Sequence, residues 1–463
     1  MTKDLVPGSF RDPSGSLFFL DGEIYRRVNP SYKDHYDCLM SSGLYEDLAS
    51  SGLLVAHDEV EIDDSVASGA YKTLKPEMIP FISYPHEWCF SQLKDAALAT
   101  LEIQKKALAR GMTLKDCSAY NIQFANGKPV FIDTLSFEKY VEGQPWVAYK
   151  QFCQHFLAPL ALMSLKDVRF NQLFRIYIDG VPLDLAGSIL PWRTKLSFSL
   201  LLHIHLHAKS QKYYSDKAID KSKRIPKVSK QSMLGLIDSL ESCIRGLKWI
   251  PKGTEWVDYY SDDSYVSEAL DDKKRLVTEY LKEINPKTLW DLGANTGLHS
   301  RIASDLGAYT VSFDIDPACV EVNYLQVKKT GEKNVLPLLL DLTNPSPSIG
   351  WDNDERQSVT ERGPADAAMA LALIHHLAIS NNVPLGRVAD YFSKLCNALI
   401  IEFVPKSDHK VQILLTTRED IFPGYTQEGF ENAFNGRFEI KRRDVLADSD
   451  RILYLMIKRQ ETR

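Results

Sequence analysis

Several things are scarce in this chain of 463 residues, and each absence removes a class of protein. Its seven cysteines, at positions 38, 89, 117, 153, 243, 319 and 396, are scattered and never form C-x-x-C. That spacing offers neither a zinc ribbon nor a disulfide framework, so reduced thiols in a cytoplasm are the expectation. Long hydrophobic runs are missing too. The most apolar stretch, Leu196–Leu206, is interrupted by Ser197, Ser199, His203 and His205 and is too short to span a bilayer. The opening MTKDLVPGSFRDPSG has no apolar core suited to a signal peptide. A net charge of −6 gives no global basic excess for nucleic acid or an anionic membrane. No internal repeat is visible. What remains is an ordinary soluble composition, 44% hydrophobic and 25% charged, at a length that suggests two domains.

The most informative stretch is Thr288–Ala303, TLWDLGANTGLHSRIA. It reads as an apolar strand ending at Asp291, then a turn framed by Gly293 and Gly297, then a helical stripe of Leu298, Ile302 and Ala303. Glycines in such a turn let a ligand approach the backbone, and the amide groups at the helix start favour electronegative atoms. A dinucleotide turn requires G-x-G-x-x-G, and a P-loop requires a lysine after its last glycine. Neither is present. The order Asp291-x-Gly293-x-Asn295-x-Gly297 resembles motif I of the class I S-adenosylmethionine (SAM) methyltransferases, E/D-x-G-x-G-x-G. Asn295 stands where the middle glycine is usual, and asparagine visits the left-handed region readily.

Downstream, strands and helices alternate regularly, which indicates a parallel sheet. Tyr309–Phe313 is a strand ending at Asp314, 23 residues after Asp291, and Val335–Leu340 is a strand ending at Asp341-Leu342. Ala365–Ile374 runs into His375-His376, Ala398–Phe403 is a fifth strand, and Phe438–Arg443 with Arg451–Lys458 suit a terminal antiparallel pair. Carboxylates at successive strand ends sit where such sheets bind ligands. The resemblance covers roughly residues 254–463. The segments ALIHHL, IIEFVPKSD and REDIFPGYTQEGFENAF look closest to a bacterial group that includes host-specific nodulation methyltransferases. It implies that Asp291, Gly293, Asn295 and Gly297 form the SAM turn, that Asp314 accepts the ribose hydroxyls, and that Asp341 and Leu342 meet the adenine. It also implies that the aromatic segment with Trp256, Tyr259, Tyr260 and Tyr265 folds over the cofactor. His375 or His376 is the expected base or acceptor-positioning group, and Glu402 is a weaker candidate.

The first half has a centre of its own. A hairpin signal surrounds Asp21-Gly22, a helical stretch covers Tyr32–Ser51, and Leu53–Val60 and Tyr71–Ser83 read as strands. An amphipathic helix covers Leu93–Arg110. Next comes MTLKDCSAYNIQFANGKPVFIDTLSFE, residues 112–138, where Asp116 precedes Asn121 by five residues and a hairpin turning at Asn126-Gly127 leads to Asp133. This resembles the core of the protein-kinase and aminoglycoside-phosphotransferase fold. The resemblance implies a catalytic Asp116, metal-ligating Asn121 and Asp133, and ATP and Mg²⁺ as cofactors. Leu114-Lys115 and Thr134-Leu135 depart from its flanking residues, and Arg26 or Arg27 stands at the lysine position with Glu46 as its partner. A kinase-like scaffold kept for shape is therefore the alternative. His203 and His207 share a helical face, where core packing is expected over metal binding. Lys209–Lys230 reads as a solvated connector.

The expected architecture is α/β: residues 251–463 form a Rossmann-like, doubly wound, seven-stranded methyltransferase sheet, preceded by an α+β kinase-like domain over residues 1–250. The expected function is methyl transfer from SAM to a small-molecule or glycan-type acceptor that the first half recognises or phosphorylates. The alternative is a regulatory binding protein whose kinase-like half is inactive. No nucleic acid and no membrane span are expected, and the expected compartment is the cytoplasm.

Overall fold

The computed structural model describes residues 3–62, 69–207, 227–251, 267–416 and 419–460. The aromatic segment around Trp256 and most of the Lys209–Lys230 connector lie outside the described residues. The chain divides into two units, Met1–Ile250 with Ser348–Arg356, and Pro251–Pro347 with Gln357–Arg463.

The first unit begins with β1 (Lys3–Leu5), β2 (Gly15–Leu20), β3 (Glu23–Val28), β4 (His57–Val60) and β5 (Lys72–Pro76), an antiparallel sheet ordered β1-β2-β3-β5-β4. Asp21 and Gly22 both take positive φ, 51° and 84°, as a two-residue hairpin turn requires. The stretch Tyr32–Ser51 is two helices, Lys33–Ser41 and Leu44–Ser50, because Gly43 turns left-handed at φ 71° between them. The strands expected over Leu53–Val60 and Tyr71–Ser83 shorten to β4 and β5. Val28, Tyr32, Tyr36 and Leu74 close the core between sheet and helices. The long helix is Phe90–Ala109, and beyond it come β6 (Met112–Leu114), β7 (Ile122–Ala125), β8 (Lys128–Phe131) and β9 (Phe137–Lys139). β7 and β8 pair through Asn126 and Gly127, both at positive φ, while β6 pairs with β9. The remainder of this unit is largely helical. His203 bonds the Tyr149 hydroxyl at 2.7 Å and His207 stacks on the Tyr149 ring, so both serve the core, as expected.

The second unit is a seven-stranded sheet: β10 (Thr288–Leu292), β11 (Tyr309–Asp314), β12 (Val335–Leu339), β13 (Ala365–Ala370), β14 (Cys396–Phe403), β15 (Phe438–Val445) and β16 (Ile452–Lys458). Its order is β12-β11-β10-β13-β14-β16-β15, with β10 to β14 parallel and β16 antiparallel to both its neighbours. This is a Rossmann-like, doubly wound arrangement, and strand order reverses beside β10. Leu289, Met369, Ile400 and Leu455 face one side, where Leu276, Val277, Tyr280 and Leu281 of the helix Ser267–Ile284 cover them. Strand four ends four residues earlier than expected, because Ala372 takes φ 49° and breaks the extended run.

The excursion Ser348–Arg356, between β12 and β13, packs in the first unit, where sequence reading had left residues 251–463 undivided. Ile349 joins Tyr84 and Tyr120 in an apolar cluster. Glu355, its side chain 2% exposed, accepts from Arg11 Nε at 2.8 Å and Nη2 at 2.6 Å, and from the Trp351 amide at 2.7 Å. The Arg356 guanidinium lies 4.8 Å from the Tyr120 ring centroid. No local periodicity announces such a segment; it is held by partners distant in sequence. Arg11→Ala would leave the Glu355 carboxylate with a backbone partner alone, at a cost of about 1–2 kcal/mol. Hydrogen exchange across Ser348–Arg356 should then quicken by roughly tenfold, and unchanged protection would show the pair to be incidental.

Candidate active site

The turn after β10 is built from alternate left-handed residues: Gly293 at φ 81°, Asn295 at 52° and Gly297 at 82°. Asn295 thus takes the conformation that a glycine would supply without strain. The Gly293 and Ala294 amides both donate to the Phe313 carbonyl at 2.9 Å, which ties the turn to the end of β11. Gly297 begins the helix Leu298–Asp305, and a Cβ there would lie 2.6 Å from the side chains of Asn323 and Arg301. At Gly297 a side chain has no room, while Asn295 turns its own side chain onto the turn, its Oδ1 accepting the Thr296 amide at 2.7 Å.

Asp314 ends β11 beside the same turn. Its Oδ2 accepts the Asn295 amide at 2.7 Å and its Oδ1 the Asp316 amide at 2.9 Å. Burial pushes its carboxyl up to about 6, against those two amides. Asp341 follows β12 and accepts the Thr343 amide and hydroxyl at 2.8 and 2.6 Å, with Leu342 beside it. Asp291 points inward instead. It is 2% exposed, accepts the Ser300 hydroxyl at 2.6 Å, and Ser300 bonds Ser312 in turn. Burial pushes Asp291 up to about 7, with Asp314 adding to the rise and Ser300 opposing it. Asp291 therefore laces the strand to the following helix.

Facing this turn is the one after β13, and a Cβ on Gly293 would come 3.4 Å from Leu373. Ala372 is held in its left-handed conformation by Glu402 Oε2, which accepts its amide at 2.8 Å. Glu402 has no exposed surface and pairs with Lys273 and Arg451; Arg451 Nε also donates to Asp408 at 2.7 Å. Burial alone would raise Glu402, but Lys273 and Arg451 outweigh it and hold the carboxyl near about 2. A group that acidic is a poor proton acceptor, so Glu402 works as a strap and not as a base. Sequence reading missed Lys273 and Arg451. The signal was there in part, since Lys273 sits on the apolar stripe of its helix with Leu270 and Val277.

His375 and His376 open the segment after that turn, their ring centroids 4.1 Å apart. His375 is 3% exposed and its Nδ1 has no hydrogen-bond partner; burial pushes its pKa well below the ordinary value. Burial also lowers His376, which is only partly covered. Burial thus disfavours the charged form of both rings, more strongly at His375.

In the first unit, Asp116, Asn121 and Asp133 line one cavity of about 560 Å³ together with Arg26 and Lys115. Asp133 pairs with Arg26 and accepts the Ser136 hydroxyl. Asn121 Nδ2 donates to Ser136 Oγ at 3.3 Å. Asp116 Oδ1 accepts the Ser118 amide at 2.9 Å and Gln151 Nε2 at 2.7 Å, while burial raises its carboxyl. Arg26, not Arg27, meets Asp133; Glu46, its expected partner, is exposed. Among the described residues, no cluster of three or more His, Cys, Asp or Glu is arranged to hold a metal.

No protein-family model matches the chain. Nodulation protein NoeA of Rhizobium meliloti (strain 1021) is 37% identical over 458 residues, spanning 97% of this chain and 95% of that protein. The chain belongs to the NoeA family. Among solved structures, the N-methyltransferase NodS from Bradyrhizobium japonicum WM9 covers 43% of the chain and 99% of its own length at 9% identity and a TM-score of 0.30. The magnesium protoporphyrin IX methyltransferase ChlM from Synechocystis PCC 6803, solved with bound S-adenosylhomocysteine, covers 43% of this chain and 92% of its own at 16% identity and a TM-score of 0.31. Scores of this size carry no functional argument.

Asp291 gives this NoeA relative a testable pH dependence. Its folded pKa lies above the ordinary carboxyl value, so the stability it contributes is complete below about pH 4 and lost as pH rises through about 7. Asp291→Asn keeps an acceptor for Ser300 and removes the titration. Urea unfolding should show the variant gaining on the parent between pH 5 and pH 8, by on the order of 3 kcal/mol at most. Parallel pH profiles for the two proteins would contradict the assignment.

Proposed function

We propose that this NoeA-family chain is an enzyme, a SAM-dependent methyltransferase whose second unit transfers a methyl group to a small-molecule or glycan-type acceptor recognised by the first unit. The observation that carries the reading is the convergence of a left-handed turn framed by Gly293 and Gly297 with Asp314 and Asp341 at the ends of adjacent parallel strands. The donor set suits SAM. The Gly293–Gly297 turn suits the amino-acid end, Asp314 beside it offers a carboxylate for ribose hydroxyls, and Asp341 with Leu342 suits the adenine. When bound, SAM supplies a methyl group on a cationic sulfur, so that displacement leaves a neutral thioether.

The protein's own part is placement and proton removal. Holding an acceptor in line with the methyl group removes most of the entropic barrier. A hydroxyl or ammonium acceptor must also lose a proton, and a neutral imidazole at His375 or His376 can take it. His376 is the less buried and is assigned that role; His375 lines the wall beside it. Glu402, held by Lys273 and Arg451, keeps the turn bearing both in place.

For the first unit, the Arg26–Asp133 pair favours recognition over phosphotransfer. A phosphotransfer reading, with ATP and Mg²⁺ at Asp116, Asn121 and Asp133, requires Asp133 to release Arg26 first. If Asp116→Ala and Asp133→Ala leave ATP and Mg²⁺ binding and turnover unchanged, phosphotransfer is excluded.

Calorimetry tests the cofactor. SAM and S-adenosylhomocysteine should bind at roughly micromolar strength, and Asp314→Ala should weaken both by about 10- to 100-fold. Because burial raises Asp314 to about 6, affinity should be flat above that pH and fall below it as the carboxylate protonates. Absence of binding to the parent protein would overturn the reading.

A further inference from the structure

The apolar run Leu196–Leu206 is not used by either site, and the structure divides it between two faces. The helical run Phe198–Leu200 continues into the π-helical turn Leu201–Leu206, preceded by a 3₁₀ turn at Trp192–Leu196. The inner face is held by the unit's own core. Ile204 is fully buried, His203 bonds Tyr149 and Ser239, and His205 meets Thr194 at 2.8 Å. The outer face is exposed. Trp192, Leu196 and Phe198 are 74%, 76% and 75% exposed, and Leu202 and Leu206 continue the stripe at steps of four.

Side chains three-quarters exposed project from the surface as tips. A folded partner would need a matching pocket for each tip, whereas a bilayer is a deformable apolar phase that needs none. Arg193 and Lys195 are exposed between the tips, and their alkyl stems allow the cationic ends to reach a phosphate layer above inserted apolar groups. From Leu185 through Ser215 the sequence contains no aspartate or glutamate, in a chain whose overall charge is −6. Arg193 and Lys195 are the charged side chains between the tips, which would orient this face toward an anionic surface. Tryptophan suits the boundary between headgroups and acyl chains.

We infer that Trp192, Leu196 and Phe198, with Arg193 and Lys195 between them, form a peripheral docking surface for an anionic lipid bilayer. The element lies on the membrane and does not cross it. This inference is independent of the methyltransferase assignment.

Flotation of the full-length chain with lipid vesicles tests it. The protein should float with phosphatidylcholine vesicles containing about one-third phosphatidylglycerol and stay behind with pure phosphatidylcholine, with binding reduced by high salt. The combined variant Trp192→Ser, Leu196→Ser, Phe198→Ser removes only exposed side chains, so its urea unfolding should match the parent. Its vesicle binding should drop by at least roughly tenfold. Arg193→Glu with Lys195→Glu should abolish the preference for anionic lipid while leaving the fold intact. Failure of the parent protein to float would overturn the inference. So would flotation that the serine variant leaves unchanged. Sedimentation showing a dimer that the serine variant makes monomeric would assign the surface to a second copy of the chain instead.

Discussion

Glu402 has no contact with solvent, and a charge in that position must be answered from within the fold. Lys273 arrives from the helix covering the sheet, Arg451 from the approach to the last strand, and the Ala372 amide from the turn after β13. One carboxylate thereby fastens three segments distant in sequence. It also secures Ala372 at a φ that a non-glycine residue adopts only when its surroundings compel it. The placement of Leu373, His375 and His376 follows from that turn. Loss of either cation would leave part of a buried charge unanswered, which makes this network more demanding than any surface ion pair on the molecule.

Across from it, the β10 turn solves a different problem. It joins a strand to a helix with alternate left-handed residues, and the amides of Gly293, Ala294 and Asn295 are anchored on the end of β11. Asp291 is turned into this joint, and Asp314, at the end of β11, has its oxygens fixed by two amides. The same burial raises both carboxyls, yet one ties the structure and the other remains available. Two rigid turns, one strapped by Glu402 and one by its own conformation, thus define the candidate site in the second unit.

The strands of that unit were legible because each is an apolar run separated from the next by a stretch of its own, and β11 and β12 lead into Asp314 and Asp341. The hairpin turns at Asp21-Gly22 and Asn126-Gly127 were legible for a similar reason, since two-residue turns demand residues that tolerate positive φ. Gly43 was harder, because a single left-handed residue within an apolar helical pattern interrupts it without changing the periodicity. The Lys273–Glu402–Arg451 network and the Arg11–Glu355 pair were not legible. Partners separated by 344 positions leave no trace in spacing, and only a lysine on an apolar stripe hinted at the first. In the first unit, sequence brought Asp116, Asn121 and Asp133 into one expectation and the fold brings them to one cavity. That Arg26 would neutralise Asp133 was beyond what residue spacing could state.

Whether SAM rests on the β10 turn of the second unit can be read from ultraviolet crosslinking of methyl-labelled SAM followed by peptide mapping. Label should appear in peptides containing Thr288–Ala303 or Asp314 and be suppressed by excess S-adenosylhomocysteine. Label confined to peptides of the first unit, or none that the competitor suppresses, would contradict it.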